Sequence, residues 1–191
     1  MLRPSHPLSS QRASHIPMHA SPGVVTFLFT DIEGSSLLWE RDPVRMPEAL
    51  ARHDMLTRAA VEENRGRVVK MLGDGVHAVF DDPREAVIAA VALQRSLADP
   101  AATHGIALSV RCGLHAGVEE QRDNDFFGRA VNRAARIMGV AHGGQILLSQ
   151  TVGSLIGERL PDGVSLRDLG LVRLRDLASP ERVCQVLHFF C

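Results

Sequence analysis

The sequence predicts an α+β fold whose centre is a ferredoxin-like split βαβ sheet with C-terminal additions. A β-rich apolar run, Val24–Thr30, has the composition of a buried central strand. A Gly-Asp-Gly turn at 73–75 separates two short strand-like segments, which is typical of a hairpin. Segments with helical spacing lie before and after this hairpin, and a further strand follows. The resulting order, β-α-β-β-α-β, is that of the split βαβ sheet.

The elements of the first half follow from local patterns. Apolar residues at helical spacing predict a helix from about Pro47 to Asn64, and Gly66 marks its end. Strands are predicted over 67–71 and 76–80, on the two sides of the turn. The next helix begins with Asp82 as N-cap and Pro83 at the first helical position, and Glu85 can complete a capping box.

The second half adds elements to this core. The helix that begins at Pro83 is predicted to extend to about residue 97. The elements predicted after it are a strand over 106–116, a helix over 128–141, a strand over 145–149, a short helix over 151–156, and two or three strands over 164–189. We expect the helices to cover one face of the sheet and to leave the other face for a ligand or partner.

Composition and charge restrict the classes of function. Hydrophobic residues make up 45% of the 191 residues and charged residues 23%, as in ordinary globular domains. The formal net charge of −1 excludes a broad basic field, so we expect no nucleic-acid polymer as partner. A compact anionic ligand remains compatible with this charge, since it needs only a few cations and backbone N–H groups.

The chain is expected to form one domain behind a short leader. Residues 1–23 mix Pro, Ser and His without an apolar core and predict a disordered leader, and residues 24–191 form the domain. No apolar run is long enough to cross a membrane, so no membrane partner is expected. The spacing of Cys112, Cys184 and Cys191 fits neither a disulfide framework nor a zinc site, which favours reduced thiols in a cytoplasmic protein.

Four short polar segments interrupt these apolar elements. Asp31 ends the buried strand, where a carboxylate is costly unless it is paired or binds a metal, and the Gly34-Ser35 turn can offer N–H groups to phosphate oxygens. Asp74 lies at the hairpin tip, where it can stand beside Asp31; two such carboxylates suit two hard divalent cations bridged to a triphosphate. The third segment is 125–128, and the fourth pairs two residues one helical turn apart, Asn132 and Arg136.

Each segment alone has a simpler explanation. Asp31 could be a helix cap, and Gly-Asp-Gly is usually only a turn. Lys70 alone is most often a surface lysine, and Asn132 with Arg136 could be a polar stripe on a solvated helix. The combination, in this order and spacing, is the specific signal.

With these segments together, the chain resembles the class III adenylate and guanylate cyclase catalytic domains, in particular the bacterial type. The resemblance extends over nearly all of Val24 to about His188. It is carried by FTDIEGSS at 29–36, KMLGDG at 70–75, DFFGRAVNRAAR at 125–136 and AHGGQILLS at 141–149. Ser36 stands where many relatives have Thr, and Phe127 where Trp is frequent.

The resemblance implies a role for each matching residue. Asp31 and Asp74 match the two metal-binding aspartates, with Ile32 beside them, and the implied cofactor is two Mg²⁺ or Mn²⁺ ions per site. Lys70 and Asp125 match the pair that recognises adenine. Asn132 matches the residue that orients the ribose and Arg136 the arginine that stabilises the transition state. The backbone of the segment after Asp31 would bind the terminal phosphates; its residues are Ile32, Glu33, Gly34 and Ser35.

The implied reaction converts ATP to 3′,5′-cyclic AMP and pyrophosphate. A Lys donor and an Asp acceptor complement N1 and N6 of adenine, and the Glu and Cys-type pair of guanylate cyclases is absent. In the family, the metal aspartates and the other four residues come from different subunits, so six in one chain imply a homodimer with two composite sites.

The sequence is compatible with three alternatives. The first is a non-catalytic nucleotide-binding regulatory domain of the same fold, and the second is a guanylate cyclase. The third, a diguanylate cyclase, is disfavoured because its GG[DE]EF signature is absent. The family also implies a regulatory partner, which the sequence does not identify.

Overall fold

The computed structural model describes residues 23–122 and 125–188. The predicted leader lies outside these residues except for Gly23, so its boundary stays a prediction. The strands are β1 Val25–Ile32, β2 Arg67–Met71, β3 Val76–Phe80, β4 Val110–Gly117, β5 Glu120–Arg122, β6 Asp125–Phe127, β7 Ile146–Ser149, β8 Val164–Val172 and β9 Glu181–His188. The α-helices are α1 Ser35–Arg41, α2 Met46–Glu63, α3 Pro83–Leu97, α4 Arg129–Gly139 and α5 Gln150–Ile156, and a 3-10 turn spans Pro100–Thr103. None of these helices is long and apolar enough to span a membrane.

The main sheet has seven strands in the order β2-β3-β1-β4-β7-β9-β8. Its first four strands pair antiparallel in the arrangement of a split βαβ sheet, which confirms the predicted fold class. β7 joins β4 in parallel, and β9 and β8 extend the sheet as an antiparallel hairpin. β5 and β6 form a separate two-stranded ribbon.

The central strand β1 is buried on both faces. Leu28 and Ile32 point into the main core, which α2 and α3 complete. Phe27 and Phe29 point the opposite way, into a second cluster that contains Ala130 of α4. The expectation that helices cover only one face was therefore wrong, because α4 packs on the second face.

Helix α4 approaches the sheet closely because β4 carries glycines beneath it. A Cβ atom on Gly113 would lie 2.2 Å from the backbone N and 2.6 Å from the Cα of Met138. A Cβ atom on Gly117 would lie 2.6 Å from the Cβ of Ala130. Small residues on both elements thus set the distance between α4 and the sheet.

Several predicted elements differ from the observed ones. β4 begins at Val110 rather than at 106, because Val110 pairs with Ile32, the last residue of β1. Asp82 caps α3 as predicted, accepting a hydrogen bond from the backbone N–H of Arg84 at 2.9 Å. Glu85 does not complete a capping box; its carboxylate pairs with the guanidinium of Arg65.

Helix α1 and the strands β5 and β6 were not predicted, for different physical reasons. α1 has seven residues and buries none of them, so it lacks the apolar stripe that marks a helix in sequence. β5 and β6 have three residues each, too few to show a period.

Two histidines are buried in neutral form. The ring of His77 stacks on Phe29 with centroids 4.4 Å apart, and its Nε2 atom has no hydrogen-bond partner among the described residues. The Nδ1 atom of His115 is 2.7 Å from the Ser149 hydroxyl. Burial lowers the pKa of His77 to about 4 and that of His115 to about 4, from an ordinary value of 6.5.

The cysteines agree with the predicted reduced state where the structure describes them. Cys112 and Cys184 are buried free thiols, and Cys191 lies outside the described residues. Burial raises the pKa of the Cys112 thiol to about 12, so this thiol is unreactive at neutral pH.

We predict that Gly113→Ala lowers the free energy of unfolding by about 1–3 kcal/mol, because the added methyl group meets helix backbone that cannot move aside. The measurement is urea denaturation followed by circular dichroism. Gly153→Ala is the matched control. Gly153 lies within α5, and its Cβ would lie 3.6 Å from Leu166 and 3.7 Å from Leu148, so the substitution should stabilise by about 0.5–1 kcal/mol. A Gly113→Ala protein as stable as the wild type would contradict the close approach of α4.

We also predict that the free energy of unfolding falls as the pH falls, and that His77→Phe makes this dependence on pH weaker. Between pH 6.5 and about 4, the unfolded chain binds protons that buried His77 and His115 do not, so stability falls as the pH falls through this window. Each histidine contributes at most about 1.4 kcal/mol per pH unit. Denaturation at several pH values should give a smaller slope for His77→Phe, and an unchanged slope for the exposed control His142→Gln. Equal slopes for His77→Phe and wild type would show that His77 is not buried neutral.

Candidate active site

The end of β1 and the β2–β3 turn form one rigid junction. The N–H of Ile32 donates to the carbonyl of Asp74 at 3.2 Å, and the N–H of Val76 donates to the Thr30 hydroxyl at 3.1 Å. A Cβ atom on Gly75 would lie 2.0 Å from the Thr30 carbonyl oxygen, so only glycine fits there. The structure thus brings Asp31 and Asp74 to adjacent strand ends.

The predicted metal-binding set at this junction has donors of the kind that hard divalent cations prefer. It consists of the carboxylates of Asp31 and Asp74 and the backbone carbonyl of Ile32, all of them oxygen ligands. Within residues 23–122 and 125–188, no group of three or more His, Cys, Asp or Glu side chains could hold a metal ion. Mg²⁺ is usually bound by one or two carboxylates and completes its shell with water and substrate phosphates, so two carboxylates suffice.

Arg111 occupies one side of this donor set. Its Nε and Nη2 atoms lie 2.8 Å and 2.6 Å from Oδ2 of Asp31, across the register pair between β4 and β1. Arg111 was not predicted from the sequence, because a pairing between residues 80 positions apart depends on strand register. The guanidinium neutralises the Asp31 carboxylate and places a cation beside the acidic junction.

The loop after Asp31 has both occupied and free N–H groups. The N–H groups of Ile32 and Glu33 already donate to protein carbonyls, that of Glu33 to Ser109 at 2.8 Å. No hydrogen bond donated by the N–H groups of Gly34 or Ser35 is seen among the described residues. Gly34 has φ of 68° and precedes α1, so the free N–H groups stand at the turn into this helix. Of the four residues predicted to bind phosphate, two thus have backbone donors with no acceptor in the described part of the chain.

The predicted base-recognition pair is in direct contact. Nζ of Lys70 lies 3.1 Å from Oδ2 of Asp125, although the two residues are 55 positions apart. The hydrogen bond from Lys70, and then that from the N–H of Phe126 at 2.8 Å, hold the pKa of Asp125 below its usual range. The Asp125 side chain is 24% exposed and the Lys70 side chain 56%, so a ligand can reach both.

Helix α4 presents the third group of predicted residues. Asn132 and Arg136 lie one turn apart on its exposed side, as their spacing predicted. The N-cap residue of α4 is Gly128, which has no side chain to cap the helix. Glu119 takes this role, because its carboxylate accepts a hydrogen bond from the N–H of Ala130. Arg136 contacts Asp176 at 2.8 Å. Neither Glu119 nor Asp176 was identified from the sequence, because neither lies near its partner in the chain.

The chain therefore contains three polar groups that remain separate from one another. They are the acidic junction (Asp31, Ile32 and Asp74), the pair of Lys70 with Asp125, and the α4 pair of Asn132 with Arg136. No hydrogen bond or ion pair between described residues joins one group to another. Each group is accessible to solvent, so a ligand or a second subunit can contact it.

Comparison with known proteins gives a family for this arrangement. The sequence model of the family described as "Adenylate and Guanylate cyclase catalytic domain" matches residues 18–181. An uncharacterized protein of Mycobacterium tuberculosis is 38% identical over 168 residues, which cover 87% of this chain and 56% of that protein. The chain thus spans about half the length of such curated relatives.

Solved structures agree with the family and show how broadly the fold is shared. A structure of adenylate cyclases from Trypanosoma brucei in their monomeric state is 29% identical, with a TM-score of 0.79 over 88% of this chain and 92% of that chain. The guanylate cyclase domain of RhGC from Catenaria anguillulae, in complex with GTP, has the same fold with a TM-score of 0.77 at 19% identity, over 88% of this chain and 98% of that chain. The sequence match, the split sheet and the structural neighbours agree, and the chain belongs to the family of class III adenylate and guanylate cyclase catalytic domains.

Proposed function

We propose that this domain converts ATP to 3′,5′-cyclic AMP and pyrophosphate, in two equivalent composite sites of a homodimer. The ribose 3′-oxygen attacks the α-phosphorus, its proton is lost, and pyrophosphate leaves. The observation that carries the choice of ATP is the contact between Lys70 and Asp125. The similarity to adenylate cyclases of Trypanosoma brucei supports it.

The pair of Lys70 and Asp125 matches the hydrogen-bonding edge of adenine. Adenine offers an acceptor at N1 and a donor amine at N6, while guanine offers the reverse. Lys70 donates and Asp125 accepts, and the lowered pKa of Asp125 keeps it an anionic acceptor at neutral pH. Among the 21 Lys and Arg residues of the sequence, Lys70 is the single lysine and all the others are arginines. A compact ammonium can donate to a single ring nitrogen, whereas the planar fork of arginine favours two parallel acceptors.

The acidic junction would hold the metal ions. Asp31, Asp74 and the carbonyl of Ile32 would bind them, and Mg²⁺ or Mn²⁺ would lower the pKa of the ribose 3′-hydroxyl and neutralise phosphate charge. Arg111 pairs with Asp31 at this junction. Its guanidinium would be available to an anionic phosphate oxygen beside the junction where Asp31 binds a cation instead.

The other groups position the reactants. The free N–H groups of Gly34 and Ser35 would donate to the terminal phosphates. Asn132 would hold the ribose so that its 3′-oxygen faces phosphorus. Arg136 supplies a permanent positive charge where negative charge builds up on the α-phosphate in the transition state.

A twofold dimer would bring the separate groups together. Among the described residues of one chain, no hydrogen bond or ion pair joins the acidic junction to the pair of Lys70 and Asp125 or to Arg136. In a twofold dimer, the acidic junction of one protomer would face the other two groups of its partner, which creates two equivalent sites. The monomer is then inactive, and activity depends on protein concentration.

Guanylate cyclase activity is the second candidate, because the GTP-bound domain from Catenaria anguillulae shares the fold. A shared fold does not determine which base is bound. A third candidate is a non-catalytic nucleotide-binding domain. The product formed from ATP or GTP separates these three functions.

We predict that the purified protein with Mn²⁺ forms cyclic AMP from ATP faster than cyclic GMP from GTP, and that Lys70→Glu with Asp125→Cys reverses this preference. The double variant should lose about 10²-fold in kcat/KM for ATP, because N1 and N6 of adenine then lack their partners. Lys70→Arg is the control, since it keeps the charge and should lose ATP turnover without gaining GTP turnover. Both products are measured by mass spectrometry. An unchanged ATP-to-GTP ratio in the double variant would refute the assignment of the base pair, and no product from either nucleotide would favour the non-catalytic domain.

We also predict that two inactive variants restore activity when mixed. Asp31→Ala damages the acidic junction and Arg136→Ala damages the α4 pair. In a mixed dimer, the intact junction of one protomer meets the intact α4 pair of the other at one site, and both damaged groups meet at the second site. Random exchange of equal amounts should recover about a quarter of wild-type turnover per dimer. The control mixes Asp31→Ala with Asp74→Ala, which damage the same group and should not restore activity. Absence of recovery in the first mixture, with mixed dimers shown by mass spectrometry, would contradict a shared site.

A further inference from the structure

Arg136 is held by a carboxylate from a distant part of the chain. Its Nη2 atom lies 2.8 Å from Oδ2 of Asp176, in the 173–180 loop between β8 and β9. The Arg136 side chain is 43% exposed and the Asp176 side chain 60%. Burial therefore does not hold the guanidinium in place, and the ion pair is the specific contact that sets its direction.

The loop that carries Asp176 is anchored on α4. Leu174 is 1% exposed and lies in one apolar cluster with Ile137, the neighbour of Arg136. Leu177 packs against the same cluster, and its N–H is 3.4 Å from the carbonyl of Leu174. Two apolar side chains thus fix the backbone on both sides of Asp176.

The backbone of Asp176 has an unusual conformation. Its φ is 59°, in the left-handed region that aspartate and asparagine adopt more readily than most residues. This conformation, between the two leucine anchors, directs the carboxylate towards α4. Oδ2 also lies 3.6 Å from Nε of Arg175, so Asp176 stands between two guanidinium groups.

We propose that Asp176 is a positioning residue that holds Arg136 ready for the α-phosphate, an inference that rests on the proposed cyclase function. A long exposed arginine samples many rotamers, and each must be lost when it meets the transition state. The ion pair restricts Arg136 before substrate arrives. Asp176 contacts the guanidinium through Nη2, and no hydrogen bond from the other N–H groups of Arg136 to another described residue is seen, so these groups can donate to phosphate oxygens.

The exposure of the ion pair between Asp176 and Arg136 argues against an inhibitory role, in which Asp176 would keep Arg136 away from substrate. Exposed ion pairs contribute little free energy, so Asp176 can orient Arg136 without withholding it from substrate. A positioning residue affects the rate of the chemical step. A competitor for Arg136 would have the opposite effect, since its removal would raise activity.

The test compares Asp176→Asn with Asp176→Gly, two replacements that tolerate a positive φ. Asparagine keeps an acceptor for Arg136 and glycine removes it. We expect Asp176→Gly to lower kcat by about 3- to 10-fold with KM nearly unchanged, and Asp176→Asn to stay within about twofold of wild type. In an Arg136→Ala background, Asp176→Gly should cause no further loss, because it acts through Arg136. Asp168→Asn is the control: it alters a similarly exposed Asp–Arg pair, with Arg182, that has no assigned role, and should leave kcat unchanged.

A measurement that does not require turnover separates this inference from the proposed function. The ¹⁵N relaxation of the Arg136 Nε–H group should show an ordered side chain in wild type and Asp176→Asn, and a mobile one in Asp176→Gly. Equal mobility in all three proteins overturns the positioning role, as does an unchanged or raised kcat in Asp176→Gly. If wild type forms no cyclic nucleotide, the proposed function fails, and the relaxation data alone decide whether Asp176 orders Arg136.

Discussion

The burial of β1 on both faces is the constraint on which the rest of the structure depends. Leu28 is 1% exposed on one side and Phe27 is fully buried on the other, so the middle of this strand has no place for a charge. The first carboxylate along β1 is Asp31, near the end of the strand, where its side chain is 24% exposed. The β2–β3 turn packs against the same end of β1, because Gly75 has no Cβ atom that would clash with the Thr30 carbonyl oxygen. An acidic junction forms there as a consequence of core packing.

Because β1 is also buried on its second face, helix α4 has to pack against that face of the sheet. Phe27 and Phe29 need an apolar cover, and Ala130 and Ala134 of α4 provide it. The glycines of β4 permit the close approach that this cover requires. Since α4 is fixed by its small residues on one side, the opposite side is left to present Asn132 and Arg136 in a defined direction.

Each of the three polar groups is held by an ion pair within the chain. Asp31 pairs with Arg111, Lys70 with Asp125, and Arg136 with Asp176. These side chains are 24–60% exposed, and ion pairs at such exposure contribute about 0–1 kcal/mol. Each charged group is therefore oriented by a contact that it can exchange at low cost, which is what the proposed binding of a cation, a base and a phosphate requires. A fully buried pair would resist this exchange, because separating it leaves an uncompensated charge.

The sequence by itself determined the order of the main elements, the split sheet and the family. These follow from local information: the apolar run of β1, the turn at Asp74, the cap at Asp82, and short motifs whose residues are close in the chain. It did not reveal α1, which buries no residue, or the place of α4 on the second face. The partners Arg111, Glu119 and Asp176 also came only from the tertiary structure. Each contact depends on strand register or on how a loop docks, and these are set by packing between segments far apart in the chain.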